Sequence, residues 1–274
     1  MPELPEVETV RRTLLQLTSG NRISRVIVSG KRVVDGTTRK RLGRMLSGKS
    51  IAGWLRRGKY LIGTGEGYLL LFHFGMSGNL IFFPQGHEPG KHTHLVIAFD
   101  DQSELHYCDP RTFGRVRLYP PSPLEGIPEL ANLGPEPLDA SLSIQTLGNA
   151  FRSRKVPIKE ILMNQRVIAG IGNIYASEIL FQSSIHPKKA ARDLTTPELQ
   201  RLRSAIRRVL QEAIRAGGTS IISFRDAKGN KGRFQELLQV YGRATDGCPR
   251  CDATIQMELL GGRSTFYCPH CQQK

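Results

Sequence analysis

Four of the five cysteines in this 274-residue chain close it as two pairs, Cys248-Pro-Arg-Cys251 and Cys268-Pro-His-Cys271, with 16 residues between them. No other feature limits the fold so tightly. Two such knuckles bracketing a short hairpin bring four soft ligands into a tetrahedron, an arrangement that selects zinc, with an iron centre as the alternative. A unit of this size cannot build its own core, so a single metal ion supplies the folding energy. Four thiolates leave no open coordination position, so the expected zinc is structural. His270, inside the second knuckle, reads as a solvated neighbour. Paired cysteines beside a lone Cys108 indicate a metal site in a reducing compartment, not a disulfide framework. The turn between the knuckles carries Gly261, Gly262, Arg263 and Ser264, an exposed basic tip able to grip a phosphate.

Upstream the chain divides by periodicity. Val7, Val10, Leu14 and Leu15 recur at helical spacing. Residues 22–29 alternate as a strand ended by Gly30, and residues 31–43 are basic and turn-rich. Residues 46–55 read as a strand pair broken at Gly48 and Gly53. A hairpin follows over 60–74, bent at Gly65, Glu66 and Gly67, and further strands at 80–83, 95–99, 104–107 and 116–119. Six prolines between Pro120 and Pro137 mark a boundary. Beyond it, residues 142–147 begin a new regime, and residues 158–162, 174–181 and 196–216 read as helices. The last has Leu199, Leu202, Ile206, Val209, Leu210 and Ala213 on one face, and Arg201, Arg203, Arg207, Arg208 and Arg215 on the other. Gly217 and Gly218 stop it, and residues 226–232 read as a mobile polar turn. The expected fold class is multidomain α+β: a strand-rich sandwich or barrel with one helix, a helical domain and a metal-bound hairpin. The expected divisions are 2–130, 138–225, a connecting segment 226–244, and 245–274.

Lysine and arginine number 39 against 24 acids, a formal charge of +15. Such an excess favours a polyanionic partner, which charge alone leaves open between DNA, RNA and an anionic membrane. No apolar run approaches the roughly 20 residues of a membrane span, and no secretory signal is visible. Against this basic background the chain starts MPELPEVETV, with Glu3, Glu6 and Glu8 crowded together. Removal of Met1 would leave Pro2 with a secondary amine. An α-amino group titrates near 8, so part of it is neutral and nucleophilic at physiological pH. A secondary amine that attacks a sugar carbon gives an iminium, an electron sink beside a phosphate ester. An ordinary N-terminal helix with an incidental proline is the alternative.

Two Gly-flanked motifs follow strands. Phe72-His73-Phe74-Gly75-Met76-Ser77-Gly78 sets a methionine in a turn, and Asp109-Pro110-Arg111-Thr112-Phe113-Gly114 sets an arginine and an aromatic ring on a constrained loop. Either could be core packing. Together they supply a wedge, a donor and a stacking ring, the means to fill the gap left by an extruded nucleotide. Ala169-Gly170-Ile171-Gly172-Asn173-Ile174-Tyr175 leads into a helix N-terminus suited to a backbone phosphate. His92 and His94 alternate at a strand entry and could touch phosphate.

The PELPEVE start, RRGKY, HFGMSG, DPRTFG, GIGNIYASE, GGTS and the CxxC pair with GRSTFYCPHC closely resemble the bacterial formamidopyrimidine-DNA glycosylase family, over nearly the whole chain. The resemblance implies a β-sandwich, a helix-two-turn-helix domain and a C-terminal zinc finger, with DNA bound between them. It also implies removal of Met1 and a bifunctional glycosylase and abasic-site lyase. Such an enzyme would excise 8-oxoguanine and formamidopyrimidines from duplex DNA through a Pro2 Schiff base and β,δ-elimination. The site residues that it implies are Pro2 as nucleophile, Glu3 as acid at the sugar ring oxygen, Glu6 as support and Lys59 as the catalytic-site lysine. His73, Asn173 and Arg263 would form the phosphate clamp, with His92 a further contact. Met76, Arg111 and Phe113 would fill the vacated stack. Cys248, Cys251, Cys268 and Cys271 would hold one zinc. Residues 217–234 match the loop that closes over the flipped base. Thr112 stands where some members carry a second arginine. A monomer in the bacterial cytosol, acting on double-stranded DNA with damaged bases or abasic sites, is expected. The alternatives are an endonuclease VIII-like enzyme for oxidised pyrimidines, a zinc-dependent DNA binder without chemistry, and a zinc-ribbon RNA binder. Leu4, where the endonuclease VIII group usually has glycine, favours the oxidised-purine side.

Overall fold

The structure, a computed structural model, describes residues 1–29 and 33–273, and the expected strand end at Gly30 lies outside them. Two compact units form: residues 1–131 with 216–233, and residues 132–215 with 234–274.

The first unit opens with helix α1 (Leu4–Thr18), whose Val7, Val10 and Leu14 are buried at helical spacing. Strands β1 (Ile23–Val28), β5 (Asn79–Phe83), β6 (Thr93–Phe99) and β7 (Glu104–Cys108) form one antiparallel sheet in the order β1-β6-β7-β5. Strands β2 (Ile51–Arg57), β3 (Tyr60–Gly65), β4 (Tyr68–His73) and β8 (Arg115–Tyr119) form a second, in the order β2-β3-β4-β8. Ile23, Leu80, Leu95, Ile97 and Leu105 of the first sheet share one core with Trp54, Leu61, Leu70, Phe72 and Val116 of the second, and α1 packs on it. This is the two-layer sandwich that alternating strands require when each sheet has one apolar face.

Residues 39–43, within the stretch 31–43 expected to be turn-rich, belong to helix α2 (Arg39–Leu46). Thr38 caps it, its hydroxyl accepting from Arg41 N at 3.1 Å, and Leu42 and Leu46 bury one helical stripe. Its dense positive charge hides the periodicity. As a result, the expected strand pair over 46–55 is the end of a helix, a turn at Gly48 and the start of β2 alone. A short helix α3 (Pro128–Ala131) ends this stretch.

Segment 216–233 returns from the helices to the sandwich. Phe224 and Ala227 join the sandwich core. Asn79 Oδ1 accepts from Arg225 N at 2.9 Å, and Phe82 N donates to Ala227 O at 2.8 Å. Gly217 and Gly218 take φ +74° and +81°, and a Cβ on Gly232 would lie 2.2 Å from Gly218 O, so the neck of this loop closes on glycine. Within it, Asp226 accepts from Lys228 N and Asn230 N, making 226–230 a hydrogen-bonded turn.

The second unit holds helices α4 (Ile144–Phe151), α5 (Ile158–Met163), α6 (Asn173–Gln182) and α7 (Thr196–Arg215), then hairpin β9 (Gln256–Leu260) and β10 (Arg263–Tyr267). The hairpin is docked on the helices. Phe181 and Val240 share a small core with Ile255, Cys248 and Cys268. Gln272 Nε2 donates to Ile185 O at 2.9 Å.

Candidate active site and nucleic-acid interface

In the first unit, α1 starts at an acidic, buried terminus. Glu3 N donates to Glu6 Oε2 at 2.8 Å, and Glu6 Oε1 accepts from Thr219 N at 2.7 Å. Glu6 thus ties the chain start to the neck of the 216–233 loop. Glu3 and Glu6 are 3% and 2% exposed. Burial lowers the pKa of the chain-start amine below 8.0; Glu3 and Glu6 oppose that shift, and the charges of Lys59 and Arg111 add to it. Pro2 lies one residue further in and is buried.

Glu8 belongs to a different cluster. Arg11 Nη2 and Arg12 Nε each lie 2.8 Å from Glu8 Oε1, and Arg56 Nε lies 3.3 Å from Oε2. Burial pushes this carboxyl up, but the hydrogen bonds from Arg11 and Arg12 and the charge of Arg56 outweigh it and hold the pKa at about 2. Of the three acids at the head of the chain, this one is structural.

Lys59 is buried in the β2–β3 turn, where Gly58 takes φ +54°. His73 ends β4, paired with Tyr60, and the two rings lie 4.9 Å apart. Burial lowers the His73 pKa to about 4, helped by the charges of Lys59 and Arg115. Gly75 N donates to His73 Nδ1 at 3.3 Å, so in the neutral ring Nε2 carries the proton. His73 is therefore a neutral N–H donor.

The loops that carry the expected wedge meet at one carboxylate. Asp109 is wholly buried. Its Oδ1 accepts from Ser77 Oγ at 2.5 Å and Arg111 N at 3.3 Å, and its Oδ2 accepts from Gly114 N at 2.7 Å. A Cβ on Gly75 would lie 2.6 Å from Phe113 C and Gly114 N, so the two loops touch where only glycine fits. Thr112 takes φ +55°. Fixed in this way, Met76 and Phe113 stay 44% and 53% exposed, and the Arg111 guanidinium lies 5.0 Å over the Phe113 ring. Apolar side chains held out on rigid loops suit insertion into a base stack. His92 is exposed; its carbonyl accepts from Asp109 N at 3.0 Å.

In the second unit, Asn173 opens α6 and its Nδ2 donates to Ser264 O at 3.0 Å. Lys159 Nζ donates to the same carbonyl at 2.9 Å and to Thr265 Oγ1 at 2.8 Å. Two helices therefore grip the hairpin tip beside exposed Arg263. Glu178, buried in α6, accepts from the backbone N–H groups of Gln239, Val240 and Tyr241 at 2.8–3.0 Å. Sequence reasoning missed Asp109, Lys159 and Glu178. The last two had a visible signal, a charge inside an apolar helical run.

The sulfurs of Cys248, Cys251, Cys268 and Cys271 all lie within 4.8 Å of one another. Contacts of 3.3–3.8 Å link them. Four thiolates about 2.3 Å from a tetrahedral zinc would stand about 3.8 Å apart. Cys271 N donates to Cys268 Sγ at 3.3 Å and Arg250 N to Cys248 Sγ at 3.4 Å, contacts that would stabilise thiolates. The cluster is a zinc-finger-like four-cysteine site. Among the described residues, no helix is long and apolar enough to cross a membrane.

Residues 1–116 match the formamidopyrimidine-DNA glycosylase N-terminal domain, residues 133–225 the H2TH domain of that enzyme, and residues 248–274 the zinc finger found in FPG and IleRS. The formamidopyrimidine-DNA glycosylase of Desulfitobacterium hafniense is 42% identical over 99% of this chain and 100% of its own length. That of Pelotomaculum thermopropionicum is 42% identical over 100% of this chain and 99% of its own. A Lactococcus lactis FPG variant in complex with a Fapy-dG-containing DNA superposes with TM-score 0.93 at 37% identity, covering 100% of both chains. The L. lactis enzyme with an abasic-site DNA gives 0.92 at 37%, over 99% of this chain and 100% of that one. Motifs, units and relatives agree from end to end: the chain belongs to the formamidopyrimidine-DNA glycosylase family, DNA glycosylases that are also abasic-site lyases.

Proposed function

We propose that this chain excises oxidised purines from double-stranded DNA with Pro2 as nucleophile. The observation that carries this reading is the buried chain start, where the amine is easier to deprotonate than usual and Glu3, Glu6 and Lys59 are buried nearby. Removal of Met1, itself 48% exposed, would release the Pro2 amine at that position. Its nitrogen attacks the anomeric carbon of the lesion sugar. Glu3 manages the proton at the ring oxygen as the ring opens, and the base departs with the bonding pair and a proton. The iminium acidifies the neighbouring carbon; loss of the 3′ phosphate and then the 5′ phosphate leaves a one-nucleotide gap. Met76, Arg111 and Phe113 occupy the vacated stack. Lys59 is the catalytic-site lysine, and His73, Asn173 and Arg263 hold phosphates, with His92 a further contact. One zinc on Cys248, Cys251, Cys268 and Cys271 shapes the finger and takes no part in the chemistry. The enzyme works as a cytoplasmic monomer.

Borohydride should trap a covalent enzyme–DNA adduct, and peptide mapping should place it on residue 2. Glu3→Gln should nearly abolish base release from an 8-oxoguanine duplex yet retain action on an abasic site, which has no base to expel. An adduct on Lys59, or full activity in a chain that keeps Met1, would overturn the Pro2 assignment.

A further inference from the structure

Helix α7 carries five arginines that this chemistry does not use. Two secure the unit itself: Arg203 Nε donates to Leu142 O at 2.7 Å, and Arg207 Nη1 to Leu138 O at 2.8 Å. Arg201 and Arg208 turn to the C-terminal end of α6, where Arg250 of the first knuckle joins them. Arg201 Nε donates to Ser183 O at 3.1 Å. Arg208 Nη2 and Arg250 Nη2 both donate to Gln182 Oε1, the second at 2.9 Å. Arg250 also donates to Phe181 O at 2.9 Å, its guanidinium 4.1 Å over the Phe181 ring.

Cations at a helix C-terminus are ordinary capping against about half a negative charge. Three guanidiniums exceed that, and among the described residues none of them is ion-paired with a carboxylate. Arg201 and Arg208 border a cavity of about 380 Å³ with Gln182, Gln200, Ser204 and Ala205. Guanidinium forks and a hydroxyl suit an oxyanion. Ala205 is the only apolar residue of the lining, the rest of its apolar surface being side-chain stems, and Phe181 is buried beneath Arg250. The cavity thus lacks both the apolar anchor of a peptide site and the stacking ring of a base site. Asn173 stands at the opposite end of α6, about 15 Å away over ten residues, so one phosphate cannot meet both.

We propose that the cleft bordered by Arg201 and Arg208, with Arg250 beside it at Gln182, is a second binding site for a DNA phosphodiester, separate from the phosphate contacts of Asn173 and Arg263. That phosphodiester comes from the flank of the bound duplex or from a second duplex. The proposal rests on DNA as the partner, and single-turnover lesion cleavage at saturating enzyme tests that reading separately.

The test compares wild type with the double variant Arg201→Gln/Arg208→Gln, whose melting temperature and cleavage rate should match wild type. If the flank occupies the pocket, affinity for a long undamaged duplex falls in the variant and its salt slope drops by about 0.9, the value for one lost phosphate contact. A short duplex spanning only the lesion contacts then shows no change. If a second duplex occupies it, simple binding is unchanged, but competitor duplex speeds dissociation of wild type and not of the variant. Loss of neither property overturns the proposal. So does an equal loss of lesion cleavage, which would place these arginines in the lesion site. Binding of a glutamate-rich peptide to wild type and not to the variant, with DNA behaviour unaltered, would assign the pocket to an acidic protein and likewise overturn it.

Discussion

His73 and Glu8 lie on the same sandwich, yet burial leaves them in opposite states. Glu8 stays charged because three guanidiniums surround it. Its folded pKa of about 2 lies below the ordinary 4.5, so its contribution to stability is full above pH 4.5 and is lost as pH falls towards 2. His73 faces positive charges instead and stays neutral to about pH 4. Between 6.5 and 4 the unfolded chain binds the proton that folded His73 refuses, so this residue too removes stability as pH falls. As a neutral donor, His73 can hydrogen-bond a phosphate without releasing a counterion. His73→Gln should therefore weaken duplex binding by about 1 kcal/mol and leave the salt slope unchanged. Arg263→Gln should reduce that slope by about 0.9. Ring NMR of the free enzyme should show His73 protonated only near pH 4. A midpoint near 6.5 would mean that burial does not hold the ring neutral, and a reduced slope in His73→Gln that the imidazolium is the binding form.

At the scale of elements, two loops act as one because Asp109 joins them. In Asp109→Asn one oxygen becomes a donor and cannot accept from Gly114 N and Ser77 Oγ together. Such a loss in a buried site costs about 1–3 kcal/mol. Asp109 is a positioning residue, so the variant should mimic Met76→Ala: lesion cleavage in duplex should fall at least tenfold, mainly in kcat, with a smaller loss on a preformed abasic site. A drop in melting temperature with equal losses on both substrates would make Asp109 merely structural. That Met76 stands outside the core was legible in sequence, because a methionine between glycines after a strand has no ordinary core role. Asp109 was not, since nothing local says that its oxygens will bridge to residue 77. Likewise Val7, Val10 and Leu14 announce α1, whereas four basic residues conceal the two-leucine stripe of α2. The path of 216–233 back to the sandwich depends on Phe224, Ala227 and Asn79 meeting, a long-range pairing that periodicity cannot encode.

At the scale of the whole molecule, the four-cysteine hairpin decides which part of the chain depends on metal. Read from sequence it is a third, separate unit, but its core is shared with Phe181 and Val240 of the helical unit, and Lys159, Asn173, Arg250 and Gln272 bind it there. Structural zinc contributes on the order of 10–16 kcal/mol of binding free energy to such sites, and here part of that free energy must reach α5 and α6 through these contacts. The sandwich has its own core. Chelation, or Cys268→Ala, should therefore abolish tight duplex binding by releasing the tip that carries Arg263. It should also split thermal unfolding into two steps, with faster amide exchange at Val240 and the end of α6 while exchange in β4 and β7 stays slow. A metal-free protein that melts in one unchanged transition would show that the thiolate cluster carries no folding energy. Loss of the sandwich amides at the same time would show that the metal supports the whole chain.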